Sequence, residues 1–350
     1  MRPIQRLFDQ LHLYREIHGW RAAHPEDEPV RTAVHRELLS FADRGITAAA
    51  IDRQWAALSA QEPDLSARFT VRGGRVRVEA RRPRHERVRW TVWAIERLAR
   101  RVGLPDHDVL LNYRDVPDGD AEHAPVLCFC RRRRLTGMVL IPDFEILRGE
   151  DHLSRQIDRA ASRWPWADRQ RIAFWRGATT GGTFDQPEWA TIPRARLVAL
   201  SRTNPDVVNA RFTRLVQGAE SNAALRVGDW SAPEVSPVDS VAYRYLVDVD
   251  GNSSSWSRLR WLLRSGSLVL KQESEHEQWY YPQLVPWRHF LPVAPDLSDL
   301  LDRVAWARAH DAEAQAIAEE GRRFALQRLE RPNAFHHLLA VLVGISALSA

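Results

Sequence analysis

The chain has 350 residues, 44% of them hydrophobic and 27% charged, with a formal net charge of +5. That composition excludes a disordered chain and leaves room for two domains of ordinary size around buried cores. Arginine carries almost all of the positive charge, because Lys271 is the single lysine, and the basic balance suits anionic partners such as nucleotides, lipid headgroups or nucleic acid.

In chain order, residues 1–20 read as an amphipathic helix without the continuous apolar stretch of a signal peptide. Ala67–Val71 and Val76–Ala80 alternate around Gly73-Gly74 and predict a hairpin. The basic run Arg81–Arg89 opens a helix through Trp90–Val102 as a solvated face. Strands are expected at Asp108–Tyr113, Val126–Cys130 and Met138–Ile141, the first running into Arg114-Asp115. Cys128 and Cys130 share one side of a strand, too poorly placed to pair with each other, and read as buried free thiols of a reducing, cytoplasmic compartment. A divide is expected near Trp164–Asp168. Beyond it come strands at Ile172–Trp175 and Val207–Phe212, a helix or extended arm over Arg194–Ser201, a strand around His289–Pro292 and two closing helices. The apolar stretch Leu338–Ala350 is too short to span a bilayer and is expected to pack on the body. Strands alternating with helices indicate an α/β chain.

The richest segment is Val241–Leu270. A buried strand over Val241–Val249 leads into Gly251, Asn252 and three serines. Ser255 or Ser257 is expected to cap a helix with Leu259, Leu262 and Leu263 on one face, ended by Gly266 before a second strand. Such a unit aims a helix N-terminus at an anion. With Arg258 in the first turn, the expected guest is a phosphate or diphosphate, in the donor-nucleotide pocket of a transferase.

Two acidic groups invite a metal reading. Asp248-Val249-Asp250 spells a DxD motif whose carboxylates would share one face of a strand, but a lone DxD is a frequent chance match. We read Asp248 as structural and Asp250 as loop-shaping, with no metal. Glu273, Glu275, His276 and Glu277 are read as a solvated helix start. A nucleic-acid-binding protein would instead use Arg81–Arg89 and Arg131–Arg134 as phosphate contacts, but no nucleic-acid module accompanies them.

Several blocks at consistent spacing carry a resemblance: Trp164-Pro165-Trp166 with Phe174-Trp175-Arg176-Gly177, the run SRTNPDVVNA from Ser201, YLVDVDG from Tyr245, SSWSRLRWLLRSGSLVLKQ from Ser254, and WYYPQLVPWRHFLPV from Trp279. Together, from about Val109 to Gly321, the chain resembles glycosyltransferase family 90, which includes Rumi-type protein O-glucosyltransferases, capsule-associated xylosyltransferases and bacterial lipopolysaccharide-modifying proteins.

The resemblance implies a GT-B-like α/β fold, two Rossmann-type domains facing across a cleft. Residues 1–166 would form the acceptor-side domain, 167–330 the donor domain, and 331–350 a C-terminal helix packing back. It also implies inverting transfer, without a required metal, from a UDP-sugar carrying glucose or xylose. The RDxP block makes Asp115 the catalytic base. Arg176 and Gly177, the serine loop with Ser253, Ser254, Ser255 and Ser257, Arg258, and Lys271 of the LKQ block become donor-binding residues. Chemistry supports these roles, since the base must take a proton from the acceptor hydroxyl while arginines stabilise the leaving diphosphate. Ala178-Thr179-Thr180 departs from the serine that usually follows the WRG block. Lacking a cysteine framework and a retention tail, the chain is expected to act on a glycan or glycolipid such as lipopolysaccharide core, with peripheral contact at the inner membrane. A catalytically silent transferase-fold scaffold is the other alternative.

Overall fold

The computed structural model describes residues 28–349 apart from 103, 105, 150 and 228, so the amphipathic helix expected over 1–20 lies outside the described residues. The chain is a mixed α/β protein that divides into two compact units. The first comprises Met1–Gly149, Glu275–Gln283 and Glu330–Ala350, and the second Glu150–Ser274 and Leu284–Leu329. Trp164–Asp168, where the divide was expected, lies within the second. Among the described residues no helix is long and apolar enough to cross a membrane.

The first unit holds a five-stranded sheet in the order Arg75–Glu79, Ser66–Arg72, His107–Asn112, Val126–Cys128, Met138–Leu140. The expected hairpin forms its antiparallel edge, with Gly73 and Gly74 both at positive φ in the turn. His107–Asn112, buried at every position, pairs antiparallel with Ser66–Arg72 on one side and parallel with Val126–Cys128 on the other. Both cysteines are free and buried. The closing helix Arg331–Leu348 is buried from Ala334 to Ile345. It meets helix Glu28–Ala42 so closely that a Cβ on Gly344 would lie 2.5 Å from Leu38 Cδ1.

One expectation fails in this unit, as does one residue of the nucleic-acid alternative. His276–Glu277 is a two-residue strand antiparallel to Arg131–Arg132, not a helix start. Arg131 is not a surface phosphate contact either. It is buried, and its guanidinium donates to both carboxylate oxygens of Glu37, at 2.7 and 3.0 Å. The partner carboxylate comes from a helix far away in sequence.

The second unit is built on five parallel strands in the order Leu291–Val293, Leu268–Gln272, Tyr243–Asp248, Gln170–Ala178, Val208–Arg214. In chain order within this unit that is 2-1-3-4-5 read from the Val208–Arg214 edge, an open doubly wound sheet. The sheet reverses its winding between Gln170–Ala178 and Tyr243–Asp248. The loops leaving the carboxyl ends of those two strands therefore flank the crevice where such sheets bind ligands. Strand Tyr243–Asp248 is buried from Arg244 onward, as a central parallel strand must be.

Candidate functional site

The loop after Gln170–Ala178 and the loop after Tyr243–Asp248 are tied to each other. Asn252 Oδ1 accepts from the Gly181 N–H at 3.1 Å and from Gln217 Nε2 at 2.8 Å. Arg194, from helix Pro193–Thr203, braces both loops. Its guanidinium donates to Ala178 O at 3.0 Å, Thr180 Oγ1 at 2.6 Å and Asp250 O at 2.9 Å. Burial pushes the Arg194 pKa down to about 10, with Arg258 adding to the fall. Sequence reasoning passed over Arg194, which in the linear chain is one more arginine in a helix.

Under this frame lies Trp175, fully buried, with the guanidinium carbons of Arg194 and Arg258 at 5.5 and 5.7 Å from its ring. Gly177 is where the indole passes: a Cβ there would sit 2.5 Å from Trp175 Cζ2. The strand pairing shifts register between Gly177 and Ala178, an irregularity in the last residues of the strand before its loop.

The serine loop is closed by its own contacts. Ser253 is buried, accepts from Trp256 Nε1 at 2.5 Å and donates to Ser254 O at 3.2 Å. Ser254 is also buried. The helix runs Ser257–Arg264 with Leu259, Leu262 and Leu263 buried, and Gly266 follows it at φ +69, as expected. Its cap differs from expectation. The N-cap residue is Trp256 at φ 50 with no side-chain cap, so neither Ser255 nor Ser257 caps the helix. A bulky residue at positive φ costs about 1–3 kcal/mol and is the kind of strain found at ligand sites. Released from capping, Ser255 Oγ is a buried hydroxyl without a hydrogen-bond partner.

Arg258 Nη2 donates to Arg176 O at 2.7 Å, joining the helix to the neighbouring strand, while Arg258 Nε has no partner. Burial lowers the Arg258 pKa and Asp248 opposes the fall. Lys271 is buried with Nζ 3.3 Å from Asp248 Oδ2, on the adjacent strand and in direct register. Asp248 is 1% exposed, and its carboxylate oxygens accept no hydrogen bond. Asp250, two residues on, accepts from Ser274 Oγ. Arg194, Arg258 and Lys271 thus share Asp248 and Asp250 as counter-charges, an excess of positive charge suited to an anion.

Not every expected donor residue joins this group. Arg176 folds onto the adjacent strand, donating to Asn209 Oδ1 at 2.9 Å and Asn209 O at 3.1 Å, with its guanidinium 4.6 Å from the Phe174 ring. Burial lowers its pKa. Ser257 lines a cavity with Ser154, Arg260, Trp261 and Arg264.

Asp115 belongs to the first unit, just past the carboxyl end of His107–Asn112. Asn112 Oδ1 accepts from Arg114 N at 3.0 Å and shapes the turn. Arg87 Nη2 donates to Asp115 Oδ1 at 2.7 Å, and the Asp115 side chain is 38% exposed. Val116 behind it is buried.

A family model described as Glycosyl transferase family 90 matches residues 29–348. The chain is similar to Protein O-glucosyltransferase 1 of Bos taurus, 32% identical over 243 residues, which cover 65% of this chain and 59% of that protein. The same protein from Homo sapiens matches at 32% over 243 residues, covering 65% and 59%. Protein O-glucosyltransferase 3 of Rattus norvegicus is 32% identical over 263 residues, 70% of this chain and 47% of that protein. The chain therefore spans about three fifths or less of these relatives' lengths.

Proposed function

The chain belongs to glycosyl transferase family 90, and on that premise we propose that it is a GT-B-like, inverting glycosyltransferase that moves a sugar from a UDP-sugar to an acceptor hydroxyl. The observation that carries this is the position of the unsatisfied polar groups. Ser255 Oγ and Arg258 Nε, both buried and unpartnered, lie on the loop and helix that leave the central strand at the sheet's switch point. A diphosphate there would satisfy both, with Ser253, Ser254 and the Gly177 turn shaping the loops. Lys271 and Arg176 act from behind, Lys271 by holding Asp248 and Arg176 through its carbonyl, which receives Arg258. Ser257 opens the helix that carries Arg258.

In the transfer step the acceptor oxygen bonds to the anomeric carbon. The bond from that carbon to the phosphate oxygen breaks, and its electron pair leaves with UDP. The acceptor's proton passes to the Asp115 carboxylate. Arg258 and the helix N-terminus stabilise the charge gained by the diphosphate, so no metal is required.

Glucose is the favoured sugar, by analogy with relatives named O-glucosyltransferases, with xylose second. For the acceptor we favour a glycan or glycolipid hydroxyl such as lipopolysaccharide core, reached from the cytoplasmic side in peripheral contact with the membrane. The relatives' names favour a protein hydroxyl as the second reading.

Calorimetric titration with UDP tests the donor site. Wild type is expected to bind UDP equally with and without EDTA. Arg258→Ala should weaken binding by about 10-fold or more, the effect of removing a charge-assisted hydrogen-bond donor. Equal binding by the variant, or loss of binding in EDTA, would contradict the proposal.

A further inference from the structure

Arg87 stands in the first turn of helix Glu86–Val102 and belongs to the Arg81–Arg89 run otherwise read as a solvated face. Its guanidinium is committed on three sides. Nη2 donates to Asp115 Oδ1 at 2.7 Å, and Nη1 donates to Tyr113 O at 2.7 Å, on the backbone leading into Asp115. Its Cζ lies 5.6 Å from the centre of the Phe144 ring. One planar group therefore grips both the carboxylate and the backbone that carries it, which a point charge such as lysine's could do only in part. The neighbouring Arg114 is turned elsewhere, to Glu62 at 2.5 Å and to Asp118.

We propose that Arg87 is the positioning residue for the reactive carboxylate: it pins Asp115 through Oδ1 so that Oδ2 is the oxygen presented to the acceptor's hydroxyl proton. The inference rests on Asp115 being the base. Magnitudes favour positioning over stability as the reason for this pair. With side chains 22% and 38% exposed, it contributes roughly 0–1 kcal/mol to folding. Misplacing a reacting group by about an ångström costs roughly 100-fold in rate. Arg87 does not touch the substrate in this scheme; it acts through Asp115.

The test follows UDP release from UDP-glucose with water as acceptor, in wild type, Arg87→Gln, Arg87→Lys, Asp115→Asn and the double variant Arg87→Gln/Asp115→Asn. Thermal unfolding of each checks that it is folded. Arg87→Gln is expected to lower kcat by about 10- to 100-fold and leave KM for UDP-glucose within about twofold, the split of a group that acts only on the chemical step. Arg87→Lys should recover part of the loss, and added methylguanidinium should raise the rate of Arg87→Gln. The double variant should be no slower than Asp115→Asn alone, because Arg87 has nothing left to position. Wild-type kcat in Arg87→Gln overturns the inference and leaves the base intact. A double variant slower than Asp115→Asn, by the factor that separates Arg87→Gln from wild type, does the same. Wild-type kcat in Asp115→Asn overturns the assignment of the base and the inference with it.

Discussion

At the scale of single residues, the candidate donor site is organised by what Trp175 touches. The indole is fully buried, lies beneath Arg194 and Arg258, and passes directly over Gly177. A methyl group on Gly177 would be 2.5 Å from Trp175 Cζ2 and 3.0 Å from Cη2, closer than side-chain carbons approach. The ring has little freedom to yield, since it is fully buried and also meets Phe212 edge-on at 6.1 Å. Gly177→Ala should therefore destabilise the protein by about 1–3 kcal/mol through overpacking, measured by urea denaturation. Because the displaced ring supports Arg258, the same variant should bind UDP more weakly. Wild-type values for both would mean that the contact relaxes freely. Gly177 was legible as part of a WRG block, but its steric reason was not, because side-chain direction in a strand is invisible in a string of letters.

At the scale of elements, the closing helix Arg331–Leu348 carries a pH dependence. His337 on this helix is 1% exposed, its Nε2 lies 3.1 Å from Leu140 O, and its ring is 5.0 Å from that of Trp279. Burial pushes its pKa from 6.5 down to about 4, with the contact to Leu140 O opposing the fall and His336 adding to it. Between those values the unfolded chain takes up a proton that the folded chain refuses. Stability from this group is thus complete above pH 6.5 and declines as the pH falls, by about 3 kcal/mol at pH 4. Urea midpoints should drop across that window in wild type and drop less in His337→Gln. Equal slopes would show that His337 is not the group responsible. The sequence announced this helix through its apolar run, and it announced the hairpin and the strand–loop–helix–strand unit at Val241–Leu270 in the same way. Each of those is a local pattern. The cap of the helix at Ser257 was misread because serines near a helix start usually cap it, whereas here Trp256 takes the position.

At the scale of the whole molecule, what the sequence left unreadable are the ties between distant segments. The first unit is assembled from three stretches of chain, one of them only Glu275–Gln283, whose strand His276–Glu277 completes a ladder with Arg131–Arg132. No local pattern in that acidic stretch signals a strand, since it is two residues long and its partner lies far upstream. Arg87 with Asp115, and Arg194 with the two loops it braces, are ties of the same kind. The motifs located the chemistry, and the fold supplied the residues that hold it.

The central claim is that a UDP-sugar binds at the switch point of the parallel sheet, and a crystal structure of the protein with UDP tests it most directly. The diphosphate is expected against Ser255 and Arg258, with the loops after Gln170–Ala178 and Tyr243–Asp248 on either side. UDP bound elsewhere, or a site at these loops left empty at saturating UDP, would contradict it.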